Sequence, residues 1–157
     1  MIENRILVSV HAAGLLFALL ALHGQPAAAA TAKEDYELQE RCGKRAEEVF
    51  NHFYKNVNGI VNNDDGSAAL VAYENHYNAK LNKCFFKSTY TDLPHKFKDH
   101  NKSGSVLIDL YDINENKEYG TYFKRDQDKV PSMCKVSGKT CGSEKEWESL
   151  ISTFMNE

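Results

Sequence analysis

Four cysteines, Cys42, Cys84, Cys134 and Cys141, constrain the fold of this chain most, because all four stand downstream of an export-type leader. The lead MIENR is followed by the apolar run 6–22, then Gly24-Gln25-Pro26 and the small residues Ala27 to Ala30. A charged start, an apolar middle, a helix breaker and an A-x-A exit make residues 1–30 a secretory signal peptide. Cleavage is expected after Ala30 or after Ala32. The competing reading is an uncleaved anchor, since the run nearly reaches the roughly 18 apolar residues that span a bilayer. The alanine-rich exit favours removal, and no cysteine near the cut offers a lipid attachment point. The expected location is therefore the periplasm or the secreted fraction, with no membrane span once the signal is gone.

An even cysteine count in an oxidising compartment predicts disulfides. Cys134-Lys-Val-Ser-Gly-Lys-Thr-Cys141 reads as a hairpin with Ser137-Gly138 at its tip. Its register sets Val136 against Lys139, Lys135 against Thr140, and Cys134 against Cys141, a spacing a disulfide can bridge. Cys42 and Cys84 remain for each other. Zinc is the competing use of four cysteines, but the chain has no C-x-x-C knuckle.

The mature region, residues 31–157, has the length of one domain. A net charge of −3 argues against a general nucleic-acid binder. Leu38, Cys42, Ala46, Val49, Phe50 and Phe53 recur at helical spacing and predict a helix from Lys33 to about Tyr54. The run Asn56 to Gly66 reads as a loop. Residues 70–78 and 83–91 read as a hairpin around Ala79-Lys80-Leu81-Asn82, and 105–113 and 118–124 as two further strands. Ser143-x-x-Glu146 is a capping box, opening a last helix with Trp147, Leu150, Ile151 and Phe154 on one stripe. The expected fold is α+β. An N-terminal helix packs on an antiparallel sheet of four or more strands, a C-terminal helix closes the core, and two disulfides staple it.

The hairpin carries the candidate site. Its four-residue loop sets Asn78 against Lys83, Tyr77 against Cys84, Asn75 against Phe86, Glu74 against Lys87, Tyr73 against Ser88 and Val71 against Tyr90. One face then holds Val71, Tyr73, Asn75, Tyr77, Cys84, Phe86 and Tyr90, and a bridge to Cys42 would lay the first helix over it. The other face holds Glu74, His76, Asn78, Lys83, Phe85 and Lys87. Two readings stand for that polar face. It is a solvated sheet surface with a weak Glu74–Lys87 pair, or Glu74, His76, Asn78, Lys80 and Asn82 form a small ligand-binding surface. Asn75, on the covered face, needs partners for its amide.

Other motifs dissolve on inspection. Gly138-Lys139-Thr140 lacks the upstream glycine of a phosphate-binding loop, where Met133 stands. Asp112-x-Asn114-x-Asn116 begins like a calcium loop, but Lys117 replaces its glycine and Phe123 its terminal glutamate. His95, Asp99 and His100 sit in a Pro-containing polar segment that reads as a solvated loop. No catalytic elbow or zinc-protease motif is present, and no cofactor is expected. Asn101-Lys-Ser103 is a glycosylation sequon, meaningful only in a eukaryotic source.

The stretch Tyr73-x-Asn75-His76-Tyr77-Asn78-x-Lys80-Leu81-Asn82-Lys83-Cys84-Phe85 resembles small exported bacterial proteins of unassigned function. Glu118-Tyr119-Gly120 and the Cys134…Cys141-x-Ser143-x-x-Glu146-Trp147 ending are similar to the same group. The resemblance implies a bacterial, periplasmic protein and supplies no catalytic residues. The expected function is non-catalytic binding of a small ligand, an envelope component or a protein. The alternative is an inhibitor of an extracellular or envelope enzyme, using loop 56–66 or 92–104 as a plug. A small hydrolase built on His76 and Glu74 comes last, because no activated nucleophile stands beside them.

Overall fold

A computed structural model describes residues 31–54, 59–96 and 101–156, with only the backbone of Asn101. The signal peptide read over residues 1–30 lies outside the described residues, as do Asp99 and His100. The chain runs α1 (Ala32–Phe53), β1 (Ile60–Asn62), β2 (Ala68–Asn78), β3 (Lys83–Asp92), β4 (His95–Lys96), β5 (Asn101–Lys102), β6 (Ser105–Asp112), β7 (Lys117–Arg125), β8 (Met133–Val136), β9 (Lys139–Thr140) and α2 (Glu144–Met155). Seven strands form one sheet in the order β1-β2-β3-β6-β7-β8-β9, and β4 pairs with β5 apart from it. Every pairing is antiparallel. Among the described residues, no helix is long and apolar enough to cross a membrane.

Both helices start on caps written in the sequence. Thr31 Oγ1 accepts from the Glu34 amide at 3.3 Å while Glu34 Oε2 accepts from the Thr31 amide at 2.6 Å, a complete capping box. At α2, Ser143 Oγ accepts from the Glu146 amide at 3.2 Å. Glu146, expected to reach back to Ser143, accepts instead from the Gly142 amide at 2.7 Å.

Both disulfides form as the spacing predicts, Cys42 to Cys84 and Cys134 to Cys141, with Cα separations of 5.4 and 5.0 Å. Such bonds persist in oxidising compartments. Ser137 (φ 47°) and Gly138 (φ 84°) give the terminal hairpin a tight turn with two left-handed residues, whose twist matches that of the strands. The β2–β3 register matches the sequence reading pair for pair, from Val71 against Tyr90 to Asn78 against Lys83. The expected loop at 56–66 is corrected in part. Among its described residues, Ile60–Asn62 extend as β1 against Leu70, Ala69 and Ala68, and Asn63 to Gly66 turn. Beyond β1 the outer rim of β2 meets a side chain rather than a strand, as Gln39 Oε1 accepts from the Tyr77 amide at 2.7 Å.

The two helices take opposite faces of the sheet. α1 covers β2 and β3 on the expected face. Cys42 and Ala46 are buried there, Phe50 lies 4.7 Å from Tyr73, and Tyr73 stacks on Phe86 at 5.4 Å. Phe53 departs from its expected place in that stripe and is 71 % exposed. Asn75 finds its partner in Cys42 Sγ at 3.9 Å, close to Gly43, where a Cβ would stand 3.7 Å from the amide.

The polar half of the hairpin reads in sequence as a solvated face or a ligand-binding surface, and the structure lays α2 over much of it, though Glu74 stays exposed. α2 crosses that face from β8 to β2, and beneath it Phe85, Ile108, Leu110, Tyr122, Val136, Trp147 and Ile151 form the main core. Phe85 packs against Phe154 and Tyr119, both at 5.1 Å. The polar side chains on this face are drawn inward by partners far away in sequence. Asn78 Nδ2 donates to the carbonyls of Thr153 and Phe154 at 3.0 and 3.3 Å, and its Oδ1 accepts from the Leu81 amide at 2.9 Å. Lys87 bridges Glu74 at 2.8 Å and Glu148 of α2 at 3.6 Å. Lys83 meets the buried Asp112 at 2.8 Å and Glu115 at 2.6 Å, and those two hydrogen bonds hold its ammonium well above the usual lysine range.

Two outcomes follow from this arrangement. Replacing Cys42 and Cys84 together should lower unfolding free energy by about 4 kcal/mol, against about 2.5 kcal/mol for Cys134 and Cys141, because the longer loop loses more chain entropy when crosslinked. Urea titration of the two double variants without reductant checks the order. Asn78→Ala strips a buried cap from the last turn of α2 and should cost about 1–3 kcal/mol by the same measurement.

Candidate functional site

α1 packs on β2 and β3, and the same face of the sheet continues beyond them into β6 and β7. A cleft of about 740 Å³ opens along that boundary. Its helical wall is Arg45, Glu48, Val49, His52, Phe53 and Tyr54. Its floor is Phe86 and Ser88 of β3 with Asp109 and Tyr111 of β6, closed at one end by Ile113 and Asn116. Strand alternation explains the floor. Ile108, Leu110 and Asp112 point under α2, which sends Asp109 and Tyr111 to the α1 side.

β7 adds two residues that regular alternation would separate. Leu110 pairs with Gly120 but Tyr111 pairs with Glu118, so Tyr119 is an extra residue in a β-bulge. Residues three apart on a regular strand lie on opposite faces. The bulge returns Glu118 to the face of Thr121 and turns Tyr119 toward Phe85 and Phe154. Gly120 permits the close packing at this point, since a Cβ would stand 3.1 Å from the Lys135 carbonyl and 3.2 Å from Val136.

Asp109 and Tyr111 of the floor thereby join Thr121 and Glu118 of β7, beside the cleft, in one polar chain. Thr121 Oγ1 lies 2.9 Å from Asp109 Oδ1 and 3.0 Å from Glu118 Oε1, and Tyr111 donates its hydroxyl to Glu118 Oε2 at 3.4 Å. The threonine hydroxyl has one proton, so it can donate to only one of the two carboxylates. Burial pushes the Asp109 carboxyl above its ordinary value, and the charge of Glu118 adds to that against the opposing Thr121 bond. Burial also raises the Tyr111 hydroxyl, with the Asp109 and Glu118 charges adding to it. Tyr54 rises from burial first, then from Tyr90 and Asp109. Both phenols remain protonated donors. Arg45 is held by Glu48 at 3.1 Å, and among the described residues no cation pairs with Asp109.

None of the five residues singled out from the sequence lines this cleft. Asn78 is buried under α2. Glu74 lies exposed in its ion pair with Lys87. His76 is half-buried opposite Phe85 on β2. Lys80 is exposed on the turn, and Asn82 adopts the left-handed conformation there (φ 52°), its Oδ1 accepting from the Tyr77 hydroxyl at 2.8 Å. The structure therefore divides that set among the core, the strand and the turn. The residues that do converge, Asp109, Tyr111, Glu118 and Thr121, had one signal in sequence: an aspartate set between the apolar residues Ile108 and Leu110. Among the described residues, no group of three or more His, Cys, Asp or Glu is placed to hold a metal ion. No protein-family model, curated protein or solved structure matches the chain.

A half-buried carboxylate with no counter-ion among the described residues is a local destabilisation, of the kind that accumulates where a site must meet a ligand. Because its folded pKa is raised, Asp109 disfavours the folded state when ionised. That cost is full above the folded pKa and absent below about 3.8, the unfolded value. Asp109→Asn should therefore raise the melting temperature at pH 7, and the gain should fade as pH falls through the raised folded pKa and be gone below about 3.8. Thermal scans of both proteins across that range test the sign.

Proposed function

We propose that this chain is a non-catalytic binding protein of the bacterial periplasm or secreted fraction, and that its ligand seat is the cleft between α1 and the β3–β6 floor. The observation carrying the proposal is a cleft of small-ligand size that joins apolar walls to a half-buried carboxylate. The export signal read over residues 1–30 and the two disulfides support the location. The likeness to small exported bacterial proteins points the same way.

The position of α1 supports a preformed seat. The helix is crosslinked through Cys42 and packed through Ala46 and Phe50, while the next turn, with Val49, His52 and Phe53, overhangs the floor. A wall fixed at one end loses little conformational freedom when a ligand enters.

The neutral, environment-sensitive dye Nile red tests this seat. Its fluorescence should rise on mixing with the folded, oxidised protein. Val49→Trp, which fills the cleft, should abolish the rise while leaving the circular dichroism spectrum intact. Alanine at both His76 and Lys80 should leave it unchanged. Loss with the alanine pair and retention with Val49→Trp would return the seat to the hairpin.

A further inference from the structure

We propose that the cleft selects a small organic cation, an amine carried on a flat apolar body, with Asp109 as its counter-ion; this rests on the cleft being the ligand seat. The charges around the cleft favour that sign. Arg45, the arginine of the helical wall, is neutralised by Glu48 at 3.1 Å. The floor presents Asp109, and Glu118, beside the cleft, is joined to it through Thr121 at 2.9 and 3.0 Å. Asp109 Oδ1 is taken by that threonine, and among the described residues Oδ2 has no partner. An ammonium group placed there would satisfy the open oxygen and relieve the repulsion between two neighbouring carboxylates. A ligand carboxylate or phosphate would be repelled by the same two charges.

The rings specify the rest of the ligand. Phe86 and Tyr111 stand on the floor and Tyr54 on the wall, all around the same space. Aromatic faces attract cations and pack flat apolar bodies. Phe53, a large apolar side chain left 71 % exposed on the lining, offers surface that only an occupant would cover. The Tyr54 and Tyr111 hydroxyls, kept protonated, can orient an acceptor elsewhere on the ligand.

Three probes that share an indole body separate charge from shape: tryptamine, its neutral alcohol analogue tryptophol, and anionic indole-3-propionate. Isothermal titration with the oxidised protein should find tryptamine binding about tenfold tighter than tryptophol, the scale of one desolvated cation–ring or ion-pair contact, with indole-3-propionate weakest. Asp109→Asn should erase the difference between amine and alcohol while leaving tryptophol binding within about twofold. Equal affinity of amine and alcohol for the unmutated protein would overturn the inference, as would an amine preference that survives Asp109→Asn. Binding of Nile red with no affinity for any indole would also overturn it and leave the cleft standing as a seat. Failure of both the dye and the indoles would remove the seat as well. Melting temperature reports independently that Asp109→Asn is folded.

Discussion

The bond between Cys42 and Cys84 fixes one residue of α1 to one residue of β3, and much of the architecture is arranged around that contact. It joins positions 42 residues apart, so an unfolded chain must close a long loop to make it. Once made, it sets the rotation of the helix. The face that carries Cys42 also carries Ala46 and Phe50, which are pressed onto Tyr73 and Phe86. With that stripe occupied, the flank bearing Arg45, Val49 and His52 is left over β6 rather than over the hairpin. The cleft is a by-product of where the helix is tied.

On the reverse side the same sheet is sealed by α2, and the two sides differ in character. Trp147 of α2 packs there with Phe85, Leu110 and Tyr122, and the buried polar side chains Asn78 and Asp112 have partners. Beneath α1 the cover is partial, and the strands that continue past it carry Asp109, Thr121 and Glu118. A single extra residue in β7 is responsible for that concentration of polar groups, because it changes the parity of the strand between Glu118 and Thr121. An irregularity in a backbone ladder thereby becomes the chemistry of a surface.

The local half of this structure was legible in the residues. Loop length fixed the β2–β3 register through Asn78 and Lys83, the Ser137-Gly138 tip fixed the last hairpin, and spacing fixed both crosslinks. The face assignment of the hairpin was legible only for α1, which a cysteine marks. Nothing local to Asn78, Lys83 or Lys87 announces that they are buried or bridged. Their partners are Thr153 and Phe154, Asp112, and Glu148, all brought in by tertiary packing. Alternation reports two faces but not which of them is covered, and a strand covered on both sides can still read as half polar. The bulge at Tyr119 was invisible for a related reason: the strand is regular in composition and irregular only in its pairing with β6. The polar chain that it assembles, Asp109, Thr121 and Glu118, was therefore not legible in the residues.

Gln39 has a consequence of another kind. The side chain accepts the Tyr77 amide at the rim of β2, past the short β1, where a sheet would otherwise present main-chain donors outward. Such rims are templates on which a second chain can add a strand and begin a fibril. Here a helix tethered by a disulfide lends one amide oxygen to the rim and stands guard beside it. The crosslink that shapes the cleft thus also bears on colloidal behaviour: a reduced chain, with α1 free to swing away, would uncover a surface prone to self-assembly.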